Sequence, residues 1–182
     1  MELKKLITGC KECDPFYQKK LFEIYSKTLF HVSLKYCRSL TDAEDNTQDS
    51  FLTIYHKINQ FQGKGSFEGW MKRIVIHHAI DRYKKETQVD SIADQNLWII
   101  DETTIQVSET ISTELLLKMI QDLPDQYRMV FSLYELDNYS HAEISSLLQI
   151  SEGTSKSNLH RAKQLLKNKI EEYSQKNRNH GS

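Results

Sequence analysis

The sequence predicts an all-α protein: two small helical domains, 1–86 and 113–182, joined by an extended acidic linker. Three observations predict it. Two prolines and six glycines in 182 residues leave few places where a helix must stop. Apolar residues in both end segments recur at helical rather than alternating spacing. Between them, residues 87–112 hold no Lys or Arg but carry Asp90, Asp94, Asp101, Glu102 and Glu109, with one short apolar interruption at Trp98-Ile99-Ile100.

The elements follow in order. Asp14-Pro15 opens a long helix with Phe16, Leu21, Ile24, Tyr25, Leu29, Val32 and Tyr36 along it, Pro being suited to a first helical position. Thr41 three residues before Glu44 has the capping-box spacing and starts a helix through Phe51, Leu52, Ile54, Tyr55 and Ile58. Gln62-Gly63-Lys64-Gly65 is a loop, and Ser66 caps a helix from Phe67 to about Glu86. Beyond the linker come a short helix through Leu115, Leu116, Met119 and Ile120, and a helix opened by Leu123-Pro124 and running to Glu135.

Residues 139–167 read as a helix-turn-helix. Ser140 and Glu143 form a capping box, and Ile144, Leu147 and Leu148 line one face of the first helix. After the turn Gln149-Ile150-Ser151, the second helix sets Leu159, Ala162, Leu165, Leu166 and Ile170 on one side and Lys156, Ser157, His160 and Arg161 on the other. From Gly153 to Lys169 it carries Lys156, Arg161, Lys163, Lys167 and Lys169 and no acidic residue. A packed back with donors in front suits a recognition helix in a major groove.

Two further clusters each admit two readings. From Phe61 to Lys85, Phe61, Phe67, Trp70 and Tyr83 interleave with Lys64, Lys72, Arg73, Arg82, Lys84 and Lys85. Aromatics that stack on unpaired bases, beside cations that track phosphates, suit single-stranded DNA; Phe61, Phe67, Trp70, Ile74 and Ile76 are equally spaced to be core. Asp42, Glu44, Asp45 and Asp49 are either a solvated face favoured by the helix dipole or a docking surface for a basic partner.

Composition excludes other classes. The net charge of −1 is not that of a uniformly basic nucleic-acid binder; the charge is partitioned along the chain instead. MELKKLITGC has no long apolar run and no stretch of about 18 apolar residues exists, so neither a signal peptide nor a membrane span is expected and the expected compartment is the cytoplasm. Cys10-x-x-Cys13 has no matching second pair and reads as an incidental surface pair in a hydrophilic break between helices, with Cys37 in the core. His77 and His78, adjacent on a helix, point about 100° apart and chelate poorly. No metal or cofactor site is expected. The acidic residues of 42–49 spread around their helix, which argues against a nucleic-acid-processing enzyme.

The run AEDNTQDSFLTIYHKINQFQGKGSFEGWMKRIVIHHAIDRYKK resembles the second region of the extracytoplasmic-function sigma factors of bacterial RNA polymerase, and LPDQYRMVFSLYELDNYSHAEISSLLQISEGTSKSNLHRAKQLL resembles their fourth. Together they cover most of residues 14–170 in the family's order. The resemblance implies a promoter-specifying initiation factor with no catalytic activity, whose partners are promoter DNA, core RNA polymerase through its β′ coiled coil and β flap, and, in this family, anti-sigma factors. It implies polymerase docking by Asp45, Gln48, Asp49 and Phe51. It implies capture of the melted −10 strand by Phe61, Lys64, Phe67, Trp70, Arg73, His77 and Arg82. It implies −35 reading by Ser155, Lys156, Ser157, His160, Arg161 and Lys163, and a linker that threads polymerase channels. The chain departs from the family's usual residues at Thr47 (an aliphatic), His77 (asparagine), Gln149 (glycine), Ser155 (valine) and Asn158 (arginine). The competing reading is a stand-alone helix-turn-helix regulator, which would need a dimer to read spaced half-sites.

Overall fold

The computed structural model describes residues 2–87 and 111–179, so the expected acidic linker lies almost wholly outside the described residues. Among the described residues every regular element is helical. The chain divides into two compact units, Met1–Arg82 and Tyr83–Ser182.

The first unit holds α1 (Leu3–Lys11), α2 (Pro15–Tyr36), α3 (Leu40–Lys57), a 3₁₀ turn (Ile58–Gln60) and, through Arg82, α4 (Phe67–Thr87). Asp14 caps α2 as expected, its carboxylate accepting from Phe16 N at 2.8 Å with Pro15 in the first turn. Cys13, at φ 57°, supplies the left-handed residue that reverses the chain between α1 and α2. Gly9 lets the two helices close up, since a Cβ there would stand 2.1 Å from the Tyr17 ring. The start of α3 corrects the expectation. Ser39, not Thr41, is its cap, accepting from Asp42 N at 3.1 Å; Thr41 lies inside the first turn. Ser66 caps α4, accepting from Gly69 N at 3.0 Å.

Where α2, α3 and α4 meet, the core contains a chain of polar groups rather than apolar side chains alone. Asn46 Nδ2 donates to Ser33 Oγ at 3.0 Å and to the Val75 carbonyl at 3.3 Å. Thr47 Oγ1 donates to the Ala43 carbonyl at 2.6 Å, so its 2.9 Å contact with Ser33 is one in which Ser33 is the donor. Ser50 adds a bond to the Asn46 carbonyl at 2.6 Å. All four polar side chains are buried. Thr47 therefore faces inward, so its departure from an aliphatic residue is a core adjustment. Leu34, Cys37 and Ala43 pack beside this seam with Phe30, which puts Cys37 in the core as expected.

The second unit holds α5 (Thr113–Gln121), α6 (Asp125–Phe131), a π-helical turn (Ser132–Leu136), α7 (His141–Leu148) and α8 (Glu152–Asn179). Its hub is Arg128, buried, which donates from Nη1 to the Gln121 carbonyl at 3.1 Å and the Leu123 carbonyl at 2.8 Å. It also pairs with Asp125 through Nη2. One guanidinium thus satisfies carbonyls at the end of α5 and fixes α6 against it. The expected single helix to Glu135 is instead α6 ending at Phe131, followed by the wider turn in which Asp137 N reaches back to the Ser132 carbonyl at 3.1 Å.

The helix-turn-helix forms as read. Both halves of the Ser140–Glu143 capping box are made. Gln149 takes the left-handed conformation, φ 57° and ψ 44°, a placement that costs about 1 kcal/mol relative to glycine. Ser151 starts α8, its hydroxyl accepting from Thr154 N at 2.9 Å. Ile144, Leu148, Leu159, Ala162, Leu166 and Ile170 are buried, whereas Leu165, expected on the packed side, is exposed.

The polar seam makes a measurable prediction. Ser33→Ala leaves the Thr47 oxygen and an Asn46 proton without their partner and is expected to cost about 1–3 kcal/mol. Combining it with Thr47→Val should cost less than the two single changes added, since both ends of the bond are then removed. Urea denaturation followed by circular dichroism measures the cycle; strict additivity would show that the hydroxyls are not coupled.

Candidate nucleic-acid and docking interfaces

α3 presents one stripe outward: Glu44, Asp45, Gln48, Asp49 and Leu52 are exposed at three- and four-residue spacing. The inward stripe is Ala43, Asn46, Thr47, Ser50, Phe51 and Ile54. Of the expected docking residues, Asp45, Gln48 and Asp49 share the outward stripe. Phe51 does not. It is 3% exposed, 4.8 Å from the Phe22 ring and 6.0 Å from Tyr55, and is a core residue that cannot touch a partner. The apolar residue on the outward stripe is its neighbour Leu52, 59% exposed. Acidic side chains around an exposed leucine make a patch that fits a basic helical surface with an apolar seam.

α4 divides its expected residues between opposite sides. Arg73 and His77, four residues apart, are exposed, and half-buried Trp70 lies one turn before Arg73 on the same stripe. Trp70 belongs to an aromatic cluster. Its ring lies 5.6 Å from Phe67, stacked at 18°, and 5.6 Å from Phe61; Phe61 meets Phe67 edge-on at 5.0 Å, and Tyr25 of α2 closes the far side at 6.1 Å from Phe67. Phe67 is buried beneath the others and is a correction: it supports Trp70 and Phe61 but offers no face to a base. Lys64 is exposed in the loop before α4. Arg82 is a second correction, about 140° around the helix from His77. It donates from Nη2 to Asp42 Oδ1 at 2.8 Å, which ties α4 to the start of α3 and turns it away from Arg73. A third tie joins His78 Nε2 and Thr53 Oγ1 at 2.7 Å.

On α8, Lys156, Ser157, His160 and Gln164 form the exposed or half-exposed middle of the outward face. Ser155 is the correction here. It is 0% exposed and bonded to His141 Nδ1 at 2.8 Å, so it belongs to the joint between α7 and α8. Its spacing, four residues before Leu159 and seven before Ala162, places it on the packed stripe, a signal the sequence does hold. Two expected DNA contacts are already engaged within the unit. Arg161 Nη1 donates to the Tyr127 hydroxyl of α6 at 3.0 Å, and Lys163 is paired with Glu135 at 2.7 Å. Gln164, missed by a search for cations, follows from His160 by one helical turn.

The expected surface pair Cys10–Cys13 is corrected, for only Cys13 is exposed. Cys10 is buried in α1, and burial, with Asp14 second, pushes its thiol up to about 11, which makes it unreactive. No group of three His, Cys, Asp or Glu side chains among the described residues converges on a metal position.

These faces define a class: an all-helical, two-unit protein with a basic helix-turn-helix in one unit and an acidic, leucine-bearing helix face in the other. Two family models match it in order, Sigma-70 region 2 over residues 21–89 and Sigma-70, region 4 over residues 113–166. The chain therefore belongs to the sigma-70 family, as an RNA polymerase sigma factor of the extracytoplasmic-function type, a non-catalytic factor of transcription initiation. It is similar to the ECF RNA polymerase sigma factor SigW of Bacillus subtilis (strain 168), 27% identical over 182 residues that cover 93% of this chain and 97% of that protein. It is also similar to the ECF RNA polymerase sigma-E factor of Escherichia coli (strain K12), 27% identical over 143 residues that cover 71% and 74%. A solved structure of the sigma factor RpoE with the anti-sigma factor NepR from Bartonella quintana shares the fold, with TM-score 0.50 and 19% identity over 82% of this chain and 94% of that one.

The division of α4 predicts a division of mutant effects. Arg82→Ala should lower stability by about 0.5–1 kcal/mol, since its pair with Asp42 is partly solvated. Arg73→Ala and His77→Ala, on exposed positions, should stay within about 0.5 kcal/mol of the parent. Thermal unfolding checks this; equal losses for all three would mean that the exposed stripe is structural.

Proposed function

We propose that this sigma factor docks on the β′ coiled coil of core RNA polymerase through the outward stripe of α3. Region 2 is assigned to 1–86, the linker to 87–112 and region 4, with the β flap as its contact, to 113–182. The opened −10 strand lies along Phe61, Lys64, Trp70, Arg73 and His77, and the −35 duplex is read by Lys156, Ser157, His160 and Arg161 of α8, with Gln164 beside them and Lys163 at the phosphates. The protein works in the cytoplasm, where polymerase and promoters are. An anti-sigma factor is a further partner, in keeping with the RpoE relative solved with NepR.

The observation that carries this reading is the outward stripe of α3. Among the described residues its carboxylates, Glu44, Asp45 and Asp49, are exposed, and Leu52 stands exposed among them. For −10 capture, the support is chemical. Phe61 and Trp70 offer partly exposed rings for base stacking, Arg73 and Lys64 supply charge, and the His77 imidazole can both stack and hydrogen-bond. For −35 reading, α8 has a polar outward face free of carboxylates from Gly153 to Lys169, and Arg161 is held by Tyr127 at the edge of that face.

Charge reversal tests docking. Asp45→Lys and Asp49→Lys should each weaken association with core polymerase by about 100-fold or more, because like charges facing each other across an interface cost several kcal/mol. Leu52→Ala should weaken it about tenfold. Phe51→Ala should instead lower the melting temperature of the chain. Binding is measured by titrating labelled protein with core polymerase. Undiminished holoenzyme assembly by the charge-reversed proteins would refute the assignment.

A further inference from the structure

His141, the first residue of α7, is held on two sides. Its ring stacks on that of Tyr134, centroids 4.4 Å apart at 21°, and its Nδ1 lies 2.8 Å from Ser155 Oγ. Ser155 is fully buried, and its hydroxyl makes no other hydrogen bond among the described residues. The carbonyl one turn back, Ser151 O, takes the Ser155 backbone N–H at 2.9 Å. A buried hydroxyl without an acceptor costs about 1–3 kcal/mol, so the hydroxyl hydrogen points to His141 Nδ1. That nitrogen is then the acceptor of the imidazole, and the ring proton sits on Nε2.

Burial of the ring, with the cations beside it, favours this neutral form. Burial lowers its pKa first and Lys156 second; Glu152 opposes, and Lys163 acts with Lys156. Glu135, on the π-helical turn packed against α7, is occupied by Lys163 at 2.7 Å, and Glu143 on α7 itself is occupied by the capping box. With its pKa lowered, His141 stays neutral to lower pH than an imidazole in water. His141 is therefore a half-exposed donor without charge, at a helix start that favours anions and on the flank of α8 that carries Lys156.

We propose that His141 Nε2–H donates a hydrogen bond to a backbone phosphate of the DNA when α8 occupies the major groove, and that Ser155 is the positioning residue that sets its tautomer. This rests on the reading of α8 as the −35 helix; in such motifs the first helix crosses the phosphate backbone. Ser155 thus serves DNA binding from behind, without touching DNA.

The test uses the full chain and a pool of duplexes randomised across the −35 positions, with binding followed by fluorescence anisotropy at two salt concentrations and at pH 6 and 8. His141→Phe keeps the ring stack but removes the donor, and should lose about tenfold in affinity, alike for all sequences. Its salt slope should match the parent's, because a neutral donor releases no counterion, whereas Lys156→Ala should reduce the slope by about one. His141→Gln, whose amide nitrogen can stand in for Nε2, should regain most of the loss, which separates lost contact from lost folding. The parent should change less between pH 8 and pH 6 than the Ser155→Ala protein, because burial keeps its His141 neutral to lower pH. Ser155→Ala should bind more tightly at pH 6, since the freed Nδ1 can then be protonated beside a phosphate. Parent-like affinity of His141→Phe, a reduced salt slope in that protein, or a Ser155→Ala protein as insensitive to pH as the parent would each overturn the proposal while leaving the α8 reading intact. Failure of the parent chain to bind the pool, or indifference to Lys156→Ala and His160→Ala together, would overturn both.

Discussion

A buried hydrogen-bond donor must find an acceptor, and in each unit a single polar side chain meeting that demand sets how the helices are rotated. In the first unit it is Asn46. Its amide reaches both Ser33 of α2 and the backbone of α4, and the two bonds together tie the rotation of α3 to both neighbours. In the second it is Arg128, whose guanidinium, buried without access to water, serves two carbonyls and one carboxylate. Removing either would leave unpaired polar groups in a low-dielectric interior, a penalty comparable to a sizeable part of a small domain's stability. Asn158 is the exception among the described residues, a buried amide nitrogen on α8 with no partner.

Once the inward faces are set by these bonds, the outward faces follow from the 100° step of the helix. Turning Asn46, Thr47 and Ser50 inward turns Asp45, Gln48, Asp49 and Leu52 outward. The same rule gives two arginines of α4 different fates. Arg73 faces solvent, while Arg82 is drawn to Asp42, so one belongs to the candidate DNA face and the other to the scaffold beneath it. On α8 it separates Ser155, directed into the joint with His141, from Lys156 next to it, which is exposed. Neighbours in sequence thus carry opposite tasks, and function lies in the residues that the core does not claim.

Most of the architecture was legible in the sequence because its signals were local. Caps at Asp14, Ser66, Ser140 and the left-handed Gln149 need only a few neighbouring residues to be recognised, and each formed. The errors concern facts set by distant residues. Ser39 and Thr41 are both plausible caps, and the Arg82–Asp42 tie, which favours the earlier start of α3, spans 40 positions. Phe51 and Leu52 are both apolar, and which one is buried depends on where Phe22 and Tyr55 lie. The π-helical turn after α6 leaves no composition signal. The engagement of Arg161 by Tyr127 and of Lys163 by Glu135 is likewise tertiary, and a count of cations treats both as available to DNA. The resemblance to sigma factors points to whole helices; only the packing distinguishes, within each helix, the residues that are exposed enough to meet a partner.

The central claim is that packing against Asn46 directs one stripe of α3 at polymerase. Site-specific photo-crosslinking tests it most directly. A benzophenone side chain is placed at Gln48 or Leu52 on that stripe, or at Lys27 on the exposed face of α2, and each protein is irradiated with core polymerase. The account predicts crosslinks to the β′ subunit from Gln48 and Leu52 and none from Lys27. Crosslinks to polymerase from Lys27, with none from the α3 stripe, would contradict it.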